Sequence, residues 1–239
     1  MRFLQRGTVG STQDEARALY TSGERGPLWL RADTQTAGRG RLSRVWNSAR
    51  GNFHATHLLP CHAPPAEAAL YGFAAALAVA DMLETYGTVR PVTLKWPNDV
   101  LVGGAKIAGI LVEREPEALL IGVGINLVSH PENTGYPATH LTTEMATAHL
   151  DGPEPRYTGA QGVLAVLAAR FSAYAATLER DGFEPLRTLW TERAHGMGEP
   201  VRAGGQTGTL TGLGTDGALL LQRSDGTQGR VHAGDVSFG

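Results

Sequence analysis

The residues best suited to chemistry fall in three short stretches. The first is Lys95-Trp96-Pro97-Asn98-Asp99, which runs on through Gly103-Gly104 to Lys106-Ile107-Ala108-Gly109. It holds the only two lysines among 21 basic residues, and every other cation is an arginine. Lysine offers a compact, rotatable point charge with a tunable pKa, and arginine's flat fork offers neither. Two lysines kept this close are expected to face a ligand anion, a phosphate or a carboxylate. The second stretch, Gln35 to Asn47, sets Gly38, Arg39, Gly40, Arg41 and Arg44 ahead of Trp46. It has neither helical nor strand period, so it reads as a loop whose like charges repel and whose glycines keep it mobile without a ligand. Gly38 and Gly40 let backbone N–H groups approach an anion. An exposed turn with solvated arginines, or an arginine-rich RNA-binding turn, fits the same residues. The third stretch is Gly122-Val123-Gly124-Ile125-Asn126. On a strand, Gly122, Gly124 and Asn126 share one face. That leaves a flat strip for a ligand ring or for a closely packed helix, with Asn126 as a hydrogen-bonding end. The third glycine of a dinucleotide fingerprint is missing.

Secondary elements must carry these stretches. Phe3 to Val9 reads as a strand, and Ser11-Thr12-Gln13-Asp14 as a helix start with a hydroxyl cap and an acid three residues on. The same hydroxyls and amides would suit a polar ligand. Leu28-Trp29-Leu30 and Asn52 to Leu59 read as strands. His54, His57, Cys61 and His62 suggest a metal, but strand period sends His54 and His57 to opposite faces, against that reading. Pro64-Pro65 opens a long apolar helix, Ala66 to Tyr86, expected in the core. Val92 to Trp96 enters the Lys-Trp-Pro-Asn-Asp turn, where Pro97 interrupts strand pairing. Gly103-Gly104 signals a hairpin, with Lys106 to Val112 as the partner strand, and Leu119 to Val128 is a further strand. A short helix near Thr142 to Leu150 and helices over Thr158 to Arg180 and Phe183 to Arg193 follow. From Glu199 to Phe238 short alternating runs are punctuated by Gly204-Gly205, Asp216-Gly217 and Asp225-Gly226. This predicts a small, separate β-barrel of four or five strands.

Composition narrows the class. A chain of 239 residues with 42% hydrophobic and 18% charged residues is an ordinary globular protein, large enough for one domain or one plus a small second. Its net charge of −2 supplies no global field to draw it to nucleic acid or anionic membrane. The N-terminus has no signal-peptide pattern, the longest apolar run, Gly72 to Ala80, is too short to span a bilayer, and the single Cys61 excludes an intrachain disulfide. A cytoplasmic protein is expected.

Taken together and in order, the motifs resemble those of biotin protein ligases. Gln35 to Trp46 is similar to their Gly-Arg-Gly-Arg-x-x-Arg-x-Trp loop, Lys95 to Asp99 to their Lys-Trp-Pro-Asn-Asp segment, Lys106 to Glu113 to the strand after it, and Gly122 to Asn126 to their Gly-x-Gly-Ile-Asn strand. The resemblance implies an α+β catalytic domain with a mixed sheet over residues 1–195, related to class II aminoacyl-tRNA synthetases and lipoate ligases. It also implies an SH3-like β-barrel over 196–239. The implied chemistry is attack of biotin's carboxylate on the α-phosphate of Mg-ATP, then transfer from biotinyl-5′-AMP to a lysine of a biotin carboxyl carrier protein domain. Such chemistry needs charge neutralisation more than a general base. By the same resemblance, Ser11, Thr12, Gln13, Gln35, Gly38 and Gly109 belong to the biotin site, and Arg39, Gly40 and Arg41 to a lid. Lys106 would bridge carboxylate and α-phosphate, so Lys106, Arg39 and Arg41 are the catalytic candidates. Arg44, Trp46, Lys95, Asn98 and Asn126 would be nucleotide-side residues; Asp99 is a metal or nucleotide contact with nothing to fix it, and the Mg²⁺ ligands and homodimerisation are left open. Only ten residues precede Ser11, so no DNA-binding domain and no operator binding are expected. Ser43 stands where the lid often has another glycine, which implies a less mobile lid. The rivals are a lipoate or octanoate ligase of the same superfamily and a non-catalytic nucleic-acid or protein-binding module.

Overall fold

A computed structural model describes residues 1–132, 134–145 and 159–238. Seven strands form one mixed sheet: β1 (Arg2–Val9), β2 (Leu28–Gln35), β3 (Phe53–Pro60), β4 (Val92–Lys95), β5 (Asp99–Val102), β6 (Ala105–Glu115) and β7 (Ala118–Ile125). Their order is β1-β2-β3-β7-β6-β5-β4. Only β1 and β2 pair in parallel, because helix α1 (Thr12–Thr21) returns the chain between them, and every other ladder is antiparallel. Ser11 caps α1 as expected, its hydroxyl accepting from the Gln13 N–H at 3.2 Å.

Strand alternation gives the sheet two buried faces. Leu28, Leu58 and Leu120 lie opposite one another across β2, β3 and β7 and pack with Ala16 of α1. The next row, Trp29, His57 and Ile121, faces the other way into the main core. There Trp29 stacks on His57 at 4.6 Å, and Phe171 meets both rings edge-on. Phe171 belongs to helix α5 (Gly159–Asp181), and helix α6 (Glu184–Glu192) follows. The short α4 (Leu141–Glu144) ends at Met145, which is extended and bridges Thr88; the remainder of the helix expected near Thr142 to Leu150 lies outside the described residues.

The helix expected over Ala66 to Tyr86 is two elements, α2 (Pro65–Ala68) and α3 (Tyr71–Thr85). Leu70, Gly72 and Phe73 donate to carbonyls three residues back, so the α-helical pitch tightens at that point. The α2–α3 run and α5 are long and apolar enough, by length and composition alone, to cross a bilayer, unlike the nine-residue run considered in the sequence. The first is core instead, with 72% of its most apolar window buried in the protein. Its alanines let it lie close to the sheet and to α5, as the helix's density of small residues predicts.

The C-terminal strands β8 (Pro200–Ala203), β9 (Gln206–Leu213), β10 (Leu219–Gln222), β11 (Gln228–Val231) and β12 (Val236–Phe238) form an antiparallel sheet in the order β11-β10-β9-β8-β12. Among the described residues no β11–β12 ladder closes it, so the expected barrel is an open five-stranded sheet. Nor does it stand apart. Leu210, Leu213, Leu219 and Leu221 belong to the same hydrophobic cluster as the large sheet, and the Trp96 indole N–H donates to the Gly217 carbonyl at 3.0 Å.

Burial sets a pH dependence. Desolvation, only partly offset by the bond from His57 Nδ1–H to the Leu28 carbonyl, lowers the imidazole from 6.5 to about 4. Between those values the unfolded chain binds a proton that the folded chain refuses. The contribution is therefore complete above pH 6.5 and is lost as pH falls towards 4. Urea unfolding of the wild type should lose about 3 kcal/mol more across this window than unfolding of His57→Gln. Equal slopes would show that His57 titrates normally.

Candidate active site

The sheet's central strands build the floor of a cleft of about 440 Å³. Gly124 of β7 sits directly opposite Gly109 of β6, and Gly122 opposite Leu111. The glycine strip expected from the sequence is therefore real, and the packed-helix reading of it holds in part. Helix α1 closes over Gly122 through Gln13, whose amide would lie 3.1 Å from a Cβ there. A flat ring covers the rest: the Trp46 indole would come within 2.4 Å of a Cβ at Gly124 and 3.1 Å of one at Gly109.

One wall is the start of α1. Gln35 Oε1 accepts from both the backbone N–H and the hydroxyl of Thr12, at 2.8 and 3.0 Å, while its amide N–H donates to Ser48 at 2.8 Å. Thr56 donates to the Thr12 hydroxyl from the neighbouring strand. Gln13 donates to Glu113 at 3.1 Å and to the Leu120 carbonyl at 3.3 Å. Gln13 Oε1, Trp46 Nε1 and His54 Nδ1 are buried without a hydrogen-bond partner among the described residues, and all three belong to residues lining the cleft. Leaving such a group unpaired costs on the order of 1–3 kcal/mol, which a polar ligand can recover.

The arginine-rich segment forms the roof. It is a loop, as its lack of period implies, but a hairpin-like one: Gly40 N–H donates to the Arg44 carbonyl at 2.8 Å and Trp46 N–H to the Gly38 carbonyl at 2.9 Å. Leu42 and Ser43 both sit in the left-handed region, at φ 55° and 57°, which is where a glycine would rest without strain. Arg39 grips Asp14 with two bonds of 2.7 Å and reaches Glu113 at 3.4 Å. The Arg39 hydrogen bonds hold the Asp14 carboxyl below its usual range. Arg41 donates to the Gly234 carbonyl at 3.3 Å, and Arg44 pairs with Asp235.

At the far end the Lys106 ammonium lies 2.7 Å from Asp99, with the rings of Trp46 and Tyr136 at 5.7 and 5.4 Å. Lys95, one hairpin away and paired in register with Asp99, sits 5.4 Å from the Phe238 ring. Asn98 closes the turn by donating to the Ile110 carbonyl at 2.9 Å.

The fold thus gathers the residues assigned to the biotin site, the lid and the nucleotide side around one cleft, except Gly38 and Asn126. Gly38 works behind it: a Cβ there would meet Ser48, Gln35 and the Trp46 carbonyl at 2.6–2.9 Å, so only glycine lets the hairpin close. Asn126 is buried, donates to the Thr139 carbonyl at 3.0 Å and borders an adjoining cavity of about 210 Å³ with Lys106 and Tyr136. No cluster of three or more His, Cys, Asp or Glu side chains able to hold a metal exists among the described residues. The sequence reading missed Tyr136, Asp235 and Phe238. Tyr136 reaches Lys106 because the Lys106 backbone bonds Pro137 and Thr139, and no local pattern announces that pairing.

Comparison with known proteins fits this geometry. Residues 18–127 match the biotin/lipoate A/B protein ligase family, and residues 197–239 match the biotin protein ligase C terminal domain. The biotin–[acetyl-CoA-carboxylase] ligase of Paracoccus denitrificans is 36% identical over 96% of this chain and 97% of its own length. The chain belongs to the biotin protein ligase family. Within that family, the bifunctional ligase/repressor BirA of Bacillus subtilis is 32% identical over 99% of this chain and 74% of its own length. The biotin protein ligase of Aquifex aeolicus, solved in complex with biotin and ATP, superposes with a TM-score of 0.82 at 28% identity, covering 99% of this chain and 97% of the other.

The floor makes a direct prediction. Of the four tryptophans, Trp29, Trp96 and Trp190 are buried, so a collisional quencher reports chiefly on Trp46. Gly124→Ala should displace the indole and raise the quenchable emission, whereas Gly135→Ala, with open space at its Cβ, should not. Unchanged quenching in Gly124→Ala would mean the indole does not lie on the strip.

Proposed function

We propose that this chain joins biotin to a lysine of a biotin carboxyl carrier protein domain, using ATP and passing through biotinyl-5′-AMP. The observation that carries the reading is the set of cations, Lys106, Arg39 and Arg41, arranged around a glycine-floored cleft in a biotin protein ligase fold. Biotin's carboxylate is already a nucleophile, so the barrier lies in bringing two anions together. Lys106 and the roof arginines screen that repulsion. The carboxylate oxygen bonds the α-phosphorus, and the α–β bridging oxygen leaves with pyrophosphate. In the second step the neutral amine of the acceptor lysine attacks the acyl carbon, AMP departs with the bonding electrons, and the amine's proton passes to solvent.

The ring end of biotin would lie against Ser11, Thr12, Gln13 and Gln35, where the unpartnered Gln13 oxygen and the Gln35-oriented Thr12 offer polar contacts, with Gly109 leaving room for the tail. Arg44, Trp46, Lys95, Asn98 and Asn126 would serve the nucleotide. A magnesium ion brought in on the phosphates needs few protein ligands; Asp99 is the cleft carboxylate that would contact it, and the ion would withdraw charge from the phosphate oxygens. The enzyme would work in the cytoplasm.

Lys106→Ala should keep the circular dichroism of the wild type and lose adenylate formation at least about a hundredfold; near-normal turnover would remove Lys106 from the mechanism. The substrate itself is read from the intact mass of an acceptor domain incubated with this protein, Mg-ATP and either biotin or lipoate. A biotin-sized gain in the biotin reaction alone is the expected result. A lipoate gain would overturn the substrate, and no gain with a competent acceptor would overturn the activity.

A further inference from the structure

The C-terminal sheet touches the cleft through one segment, Gly234 to Phe238, of which Asp235, Val236 and Phe238 line it. Its polar contacts there fall on cations, and its one ring meets a cation and the His195 ring. Asp235 pairs with Arg44, the Gly234 carbonyl accepts from Arg41, and the Phe238 ring lies 5.4 Å from the Lys95 ammonium. The segment is itself held in place. Val236 and Phe238 pair in register with Ala203 and Val201 of β8, and Phe238 meets His195 edge-on at 4.9 Å. A Cβ at Gly196 would fall 1.9 Å from the Phe238 ring, so that glycine reserves the ring's place.

We infer that Asp235 and Phe238 are positioning residues for the nucleotide end of the cleft, acting through Arg44 and Lys95 and not on the biotin end. The inference rests on the nucleotide-side assignment made above. Arg44 projects into solvent, its side chain 62% exposed, and a free arginine there samples many rotamers. Asp235 engages one nitrogen of a guanidinium that has five N–H donors. The plane is thereby aimed while other donors stay available to a phosphate. Asp235 and the neighbouring Asp99 are outnumbered by Arg41, Arg44, Lys95 and Lys106, so the local field still favours a polyanion. The Arg44 hydrogen bond, with the charges of Arg41 and Lys95 behind it, holds the Asp235 carboxyl below its ordinary range. Phe238 does the same work for Lys95 through the attraction of a cation to a ring face.

The test measures binding of a non-hydrolysable ATP analogue and, separately, of biotin by calorimetry. Asp235→Asn should weaken the analogue about fivefold, the upper range for a solvent-exposed ion pair. Asp235→Glu should restore most of the loss, and biotin affinity should stay within about twofold of the wild type. In an Arg44→Ala background Asp235→Asn should add nothing, because the carboxylate acts through that arginine. Phe238→Leu should weaken the analogue independently. Asp225→Asn, in the β10–β11 turn where its carboxylate accepts from Thr227, is the control and should change neither affinity. The inference is overturned if Asp235→Asn binds the analogue as tightly as the wild type or more so, or loses biotin equally. It is also overturned if the effect persists undiminished without Arg44, or if the wild type binds no analogue. A wild type that binds the analogue but biotinylates no acceptor would remove the proposed reaction and leave the positioning role standing.

Discussion

Lys95, Lys106, Arg39, Arg41 and Arg44 converge on one cleft, and their mutual repulsion is the constraint the rest of the site answers. Two unit charges 4 Å apart in a partly wet protein environment repel by about 4 kcal/mol. Three of these cations carry a carboxylate: Asp14 and Glu113 for Arg39, Asp99 for Lys106, and Asp235 for Arg44. The acids come from α1, β6, β5 and the approach to β12, so the charge balance is a property of the tertiary fold and not of any one motif. The pairs are also partly exposed, the class of ion pair that contributes least and exchanges partners most readily. A polyanion entering the cleft can take over such cations at small cost, which a set of deeply buried pairs would not allow.

The scaffold holds this arrangement from two sides. Strand β7 is flanked by ladders to β3 and β6, so the floor is fixed at both edges. Behind the sheet, the Trp29–His57–Phe171 cluster and the alanine-rich α3 form a core continuous with the leucines of the C-terminal sheet. That shared core brings Gly234 to Phe238 against the roof. The Trp96 indole ties the two sheets together at the turn that carries Lys95 and Asn98.

Much of this was legible in the sequence because it is local. The hydroxyl cap at Ser11, the hairpin at Gly103-Gly104 and the strand period of Gly122 and Gly124 each follow from a few neighbouring residues. The two lysines could be singled out because arginine does all the other cationic work. What escaped is what depends on tertiary register. The partners of the cations are separated from them by long stretches of chain: Asp235 from Arg44, Glu113 from Arg39 and Tyr136 from Lys106. Period alone could not show that the helix over Ala66 to Tyr86 tightens at Leu70. It could not show either that the C-terminal strands share a core with the catalytic sheet, because a turn-punctuated β segment reads alike whether it packs or stands free. His54 and His57 show the opposite case, since alternation alone sent them to opposite faces, and the structure puts His54 at the cleft and His57 in the core.

The glycine floor also sets how this pocket can be redesigned. Gly122 and Gly124 occupy a strand paired on both sides, so neither can shift its backbone to admit a new side chain without breaking two ladders. The floor therefore acts as a fixed datum plane, and variation in cleft size must come from the parts that stand on it: the first turn of α1, the arginine roof and the Tyr136 segment. A library aimed at longer or bulkier acids would be wasted on the glycines and well spent on those three borders.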